Sequence, residues 1–227
     1  MRPVLAHVAA LAFALAVSPA LAQGFKFSEQ PDEDKLEREA RENRIAVQLS
    51  TPCRADLKNK KIMVVIGEER SDGYIVAQQQ NYGPHYEAIN RRLRSLGLRT
   101  FTPEEIRRQV AQAEVEAVMR NDPDAALSAQ RRLGASFVLR GLIRSQASPN
   151  RVMAVNQVSI TMGFTLAGSD GRPVSSADAR ADSYAGADVG RMAQTLVEEQ
   201  ADVVVATLYS GYCRNAGLGA PSAPKKK

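Results

Sequence analysis

The chain has 227 residues, 24% of them charged and 5% aromatic, with a formal net charge of +5. Arg2 and the terminal Lys225, Lys226 and Lys227 account for four of those five charges, so the remainder is near neutral. A nucleic-acid binder carries its basic excess as a patch on the fold, so nucleic acid is not an expected partner.

The N-terminus reads as a targeting segment. Met1 and Arg2 are a short basic region, Leu5 to Val17 an apolar run, Ser18-Pro19 a break, and Ala20 to Ala22 small residues ahead of Gln23. These are the parts of a secretory signal peptide, residues 1–22, with cleavage expected after Ala22. A membrane anchor is the alternative, but the run falls short of the roughly 20 residues that span a bilayer. No later segment is apolar enough for a membrane span. The expectation is an exported protein of the bacterial periplasm. Residues 23–52 follow as a polar, charge-rich segment that allows a short helix from Asp34 but shows no core face.

From Lys61 the elements become regular. "KIMVVI" (Lys61 to Ile66) is a continuous apolar strand, which predicts a central position covered on both faces. "PHYEAINRRLRSLG" (Pro84 to Gly97) is a helix with proline in its first turn and Ile89, Leu93 and Leu96 on one stripe. "LRTF" (Leu98 to Phe101) is a short strand. Thr102, Pro103 and Glu105 open the next helix as a capping box, with Ile106, Val110, Ala113 and Ala117 along one face. Asp122-Pro123 caps another helix that ends at Gly134. "ASFVLRGLIRS" (Ala135 to Ser145) is a strand. In "VSITMGFTL", Val158, Ile160, Met162, Phe164 and Leu166 alternate with small or polar residues, which predicts a strand with one apolar face. "SDGR" (Ser169 to Arg172) turns the chain, and Ala177, Ala179 and Ala181 of the returning strand let a helix approach. A helix from about Asp188 to Tyr209 closes the order β-α-β-α-α-β-β-β-α. This predicts a single α/β (α+β) domain over residues 53–213, a mixed sheet with helices packed on it.

Residues 214–227 form a small, polar, basic tail, expected to be disordered. Its lysines serve as a solubilising end or as a weak electrostatic contact with an anionic envelope surface. Cys53 and Cys213 are the two cysteines and bracket the domain. In an oxidising compartment an even count predicts pairing. Closing so long a loop stabilises by roughly 4–5 kcal/mol in the chain-entropy model. Two free thiols or a metal pair are the alternatives, but metal needs more ligands, and only His85 remains of the two histidines after cleavage. Neither a metal nor a cofactor is expected.

The glycine of "KIMVVIGEERSDG" invites a nucleotide-binding reading, which the rest of the stretch opposes. A dinucleotide loop needs closely spaced glycines and an immediate helix. Here one glycine precedes Glu68 and Glu69, two carboxylates that repel phosphate, and the helix waits until Pro84. A Ser-His-Asp triad would have to use His85. The acidic pairs Glu68/Glu69, Glu104/Glu105 and Glu198/Glu199 are sequence neighbours whose side chains diverge. A Ca²⁺ site from Glu68, Glu69 and Asp72 lacks the spacing of a known loop. No catalytic residue is assigned.

Gly67 to Gly83 reads as a long connection at the carboxyl end of a central strand, where open α/β sheets bind their ligands. It carries Glu68, Arg70, Tyr74, Gln78 to Gln80 and Tyr82, with His85 and Tyr86 just beyond. Tyrosine and arginine anchor protein contacts. Glu68, Arg70, Tyr74, Tyr82, His85 and Tyr86 are therefore the candidate partner-binding residues, with an idle loop as the alternative.

"KIMVVI", the helix leading to "LGLRTFTPEEI", then "LGASFVLRGLIRS", the turn "SDGRPV" and the closing helix resemble a group of bacterial envelope proteins. The group comprises the lipoprotein activators of penicillin-binding proteins, the periplasmic domain of the curli secretion lipoprotein, and the middle domain of a flagellar-assembly protein of the outer basal rings. The resemblance covers about Lys61 to Tyr209 and implies a non-catalytic docking or assembly module. Many members are lipoproteins, whereas no cysteine stands at the cleavage point here to take a lipid. The expected function is that of a periplasmic accessory or assembly protein acting by contact with an envelope protein. A small-ligand or glycan binder, and a hydrolase using His85, are the alternatives. The partner and the oligomeric state are not legible.

Overall fold

The structure is a computed structural model and describes residues 33–69, 75–77, 83–150, 152 and 155–218. The expected signal peptide and most of the basic tail lie outside those residues. In chain order the elements are α1 (Glu33–Leu49), α2 (Arg54–Leu57), β1 (Lys61–Glu69), β2 (Ile75–Ala77), α3 (Pro84–Ser95), β3 (Arg99–Thr100), α4 (Pro103–Gln109), α5 (Gln112–Met119), α6 (Pro123–Leu133), β4 (Phe137–Asn150), β5 (Val155–Ala167), β6 (Pro173–Ala185) and α7 (Val189–Asn215).

One mixed sheet runs β2-β1-β4-β5-β6, with β3 also paired to β1. β1 pairs in parallel with β4 and β3, and antiparallel with β2; β4, β5 and β6 form an antiparallel meander. The architecture is the expected α+β domain with helices on the sheet. Two cores result. On one face Ile62, Val64 and Ile66 of β1, Leu139 and Ile143 of β4 and the alternating apolar set of β5 meet α3 and α7. On the other, Met63, Val65 and Val138 meet Ile106 of α4, Val115 and Val118 of α5 and Ala129 and Leu133 of α6. β1 is thus apolar on consecutive residues because both its faces are covered. Fully burying each such Ile or Val contributes about 1.5–3 kcal/mol.

β5 keeps its alternation because only its α7 side is covered. Close approach there depends on two glycines. A Cβ on Gly141 would lie 2.2 Å from the Phe164 ring, and one on Gly211 of α7 2.3 Å from Ser175 Oγ of β6.

Three expectations need correction. The helix opened by Thr102 does not continue through Ala113 and Ala117: Val110 takes extended backbone (φ −122°, ψ 125°) and ends α4. That break buries Val110 and turns Val115, Val118 and Met119 inward, leaving Ala113 exposed. The connection after β1 does not begin at Gly67, because β1 runs on to Glu69 and Gly67, Glu68 and Glu69 pair with Ala77, Val76 and Ile75. Finally, the polar segment before Cys53 forms a 17-residue helix, α1, rather than a short one. It packs on α7, with Arg41 3.7 Å from Glu199, Gln48 donating to Thr207 at 3.3 Å, and Leu49 against the core.

Candidate functional site

The two ends of β1 are held by different chemistry. At its start, Cys53 and Cys213 form a disulfide with Cα atoms 5.8 Å apart and 160 residues between them in sequence. The Cys53 backbone N–H donates to Tyr209 Oη at 3.2 Å, and that hydroxyl donates to the Thr51 carbonyl. Lys60 Nζ bonds Asp56 at 2.8 Å and Tyr212 Oη at 3.1 Å, while Tyr212 donates to Asp56. Donation from Lys60, then from Tyr212, holds the Asp56 carboxyl below its ordinary value. Burial and the Asp56 carboxylate push the Tyr212 phenol up.

The far end of β1 carries the candidate site. Glu68 lies on β1 and His85 in the first turn of α3, and His85 Nδ1 sits 2.9 Å from Glu68 Oε1. A carboxylate only accepts, so Nδ1 carries the hydrogen and donates it. That bond keeps the Glu68 carboxyl below its usual range, against the opposing effect of burial. The pair is partly open to solvent, with side-chain exposures of 34% for Glu68 and 16% for His85. Glu69 points elsewhere: the parallel register sets it beside Arg144 of β4, whose guanidinium donates to it. The neighbouring carboxylates therefore diverge and share no metal or proton. Tyr86 is buried, 5% exposed, in the core beneath this end of the strand.

Of the six residues proposed from sequence, Glu68 and His85 are brought together and Tyr86 lies under them. Arg70, Tyr74 and Tyr82 lie outside the described residues, as do Gln78 to Gln80. Sequence reasoning missed Arg144. It stands 75 residues from Glu69, and only the β1–β4 register, which a sequence does not print, joins them.

The other acidic pairs also separate. Glu105 completes the capping box with Thr102, and Glu104 meets Arg107. Glu198 binds Arg91 and Arg92 of α3, which also reaches Asp202, whereas Glu199 faces Arg41. Among the described residues, no group of three His, Cys, Asp or Glu side chains is placed to hold a metal ion, and no helix is long and apolar enough to cross a membrane. The open face of β4, β5 and β6 forms a recess of about 520 Å³ lined by Arg144, Thr161, Asp178 and Arg180.

No model of a known protein family matches this chain. No curated protein matches it either. Several solved structures are similar. One is a PelC dodecamer from Paraburkholderia phytofirmans, at 18% identity and a TM-score of 0.39, covering 67% of this chain and 88% of that one. Another is a minor lipoprotein from Acinetobacter baumannii, at 11% identity and a TM-score of 0.40, covering 68% of this chain and 93% of that one. A third is the LpoB C-terminal domain from Salmonella enterica, at 13% identity and a TM-score of 0.36, covering 61% of this chain and 93% of that one. Lipoproteins are thus among the solved structures this chain is similar to.

Proposed function

We propose that this is an exported periplasmic accessory protein that works by contact with another protein of the cell envelope, without catalysis. The observation that carries the reading is the Cys53–Cys213 disulfide. Such bonds persist in oxidising compartments, and the signal-like N-terminus supports the same destination independently. The working surface is the carboxyl end of β1, where the Glu68 carboxylate and the His85 imidazole present a partly exposed, hydrogen-bonded pair. Arg70, Tyr74 and Tyr82 belong to this proposed surface by sequence, with Tyr86 supporting it from within.

The test is capture from envelope extract by wild type and by a Glu68→Ala/His85→Ala variant. A protein retained by wild type and lost from the variant, at unchanged melting temperature, is the expected result. A hydrolytic activity that His85→Ala abolishes would overturn the reading. So would a melting shift with cell-wall fragments in the absence of any captured protein. That last outcome would favour the second reading, a glycan binder using the polar recess beside Arg144 and Asp178.

A further inference from the structure

Among the described strands, β6 is a long edge of the sheet. β6 is 13 residues long, and no described strand pairs with its outer side. An open edge of that length offers a row of N–H and C=O groups to any extended chain. What lies beside it is unusual for an edge. α1 packs on α7 and forms a shelf facing Arg180 of β6. Between this shelf, α7 and Arg180 of β6 is a hollow of about 480 Å³.

The lining of the hollow is cationic. Arg41, Arg44 and Arg180 line it, against one carboxylate, Glu37. Arg41 is shared with Glu199 at 3.7 Å, while Arg44 and Arg180 make no ion pair among the described residues. Across the ladder Arg180 faces Thr161, Asp178 faces Gly163 and Asp182 faces Ser159, so β5 neutralises none of these three charges. Alternating Asp178, Arg180 and Asp182 oppose a flat apolar edge, and the two carboxylates oppose acidic side chains on their own face, so acidic residues of an added strand belong on the α1 side.

We propose that the β6 edge and the α1 shelf form a docking cleft for one extended segment of a partner protein, paired to β6 as an added strand, with acidic side chains on alternate residues turned toward Arg41 and Arg44. Strand pairing supplies main-chain hydrogen bonds, and the alternate side chains supply selectivity. Charge complementarity selects an acidic segment. This inference does not depend on the Glu68–His85 reading and can fail without it, since it concerns a different edge of the sheet.

The test uses the full chain and a fluorescent nonapeptide of alternating Glu and Thr, read by anisotropy. Binding is expected to weaken with added salt. It should be lost when Lys replaces Glu, and lost again when two adjacent central peptide nitrogens are methylated, which closes both edges of the peptide to pairing. Arg44→Glu with Arg180→Glu should weaken it at least tenfold at unchanged melting temperature, and the peptide should slow amide exchange along β6. An affinity weaker than about 1 mM would overturn the proposal. So would undiminished binding of the methylated peptide, which would leave only charge attraction. A dimer that Arg180→Glu dissociates would assign the edge to a second copy, and peptide affinity that rises on removal of residues 23–32 would assign it to the chain's own N-terminal segment.

Discussion

The start of β1 is closed by a covalent bond and by tyrosine hydroxyls, one of them bonded to the Asp56–Lys60 pair; its end is closed by the Glu68–His85 hydrogen bond and the Glu69–Arg144 ion pair, both partly exposed. Both ends satisfy their polar groups, by means that respond differently to mutation. A disulfide and a core lose stability when cut and are indifferent to moderate acid, although the Asp56 carboxyl beside them is held below its ordinary value as Glu68 is. Partly solvated ion pairs contribute little and titrate. The first end carries the cross-link; the second carries the proposed surface.

The largest expected contrast comes from cutting the closed end. Cys53→Ser with Cys213→Ser should cost about 5 kcal/mol in the chain-entropy model, read as a fall in the urea midpoint. A loss under about 1 kcal/mol would mean that packing alone closes this end. Ile62→Ala, a fully buried residue of the same end, should cost about 3–4 kcal/mol, as large-to-small core changes do. A smaller loss would show that the site collapses around the cavity.

The open end should respond weakly and with a defined pH sign. The Glu68 carboxyl titrates below its ordinary value in the folded chain, so its contribution is present above the ordinary carboxylate range and is lost as pH falls through the lowered value. The melting temperature of Glu68→Gln should therefore trail wild type above about pH 5, and the gap should close in acid. A gap that persists undiminished below the carboxylate range would contradict the pairing. Smallest of all, Arg144→Ala should change stability by about 0–1 kcal/mol and by less in high salt. A larger, salt-independent loss would make Arg144 part of the core.

Elements whose cause is local were legible in the sequence. The unbroken apolar run of β1 announced two covered faces, and the alternation from Val158 to Leu166 announced one. Thr102 with Glu105, and Asp122 before Pro123, marked real helix caps. Features set by tertiary contact were not legible. β2 is three residues that form a strand only because β1 extends to Glu69 beside them. Val110 leaves the helix because burial in the α4–α6 layer outweighs its place on a helical stripe. For the site, the sequence offered residue types near one strand end; the contact between Glu68 and His85, 17 positions apart, needed the first turn of α3 to fold back over β1.

The 160-residue separation of the bridged cysteines also orders events in the life of the chain. A chain made or exported from its N-terminus presents Cys53 long before Cys213, and for that interval Cys53 has no internal thiol to meet. The bond closes only after β1 to α7 have all emerged, so oxidation acts as a final latch on a finished domain. Two cysteines allow a single internal pairing. Maturation therefore requires an oxidant but no disulfide isomerase, and its characteristic error is a bridge between two molecules that meet before α7 is complete.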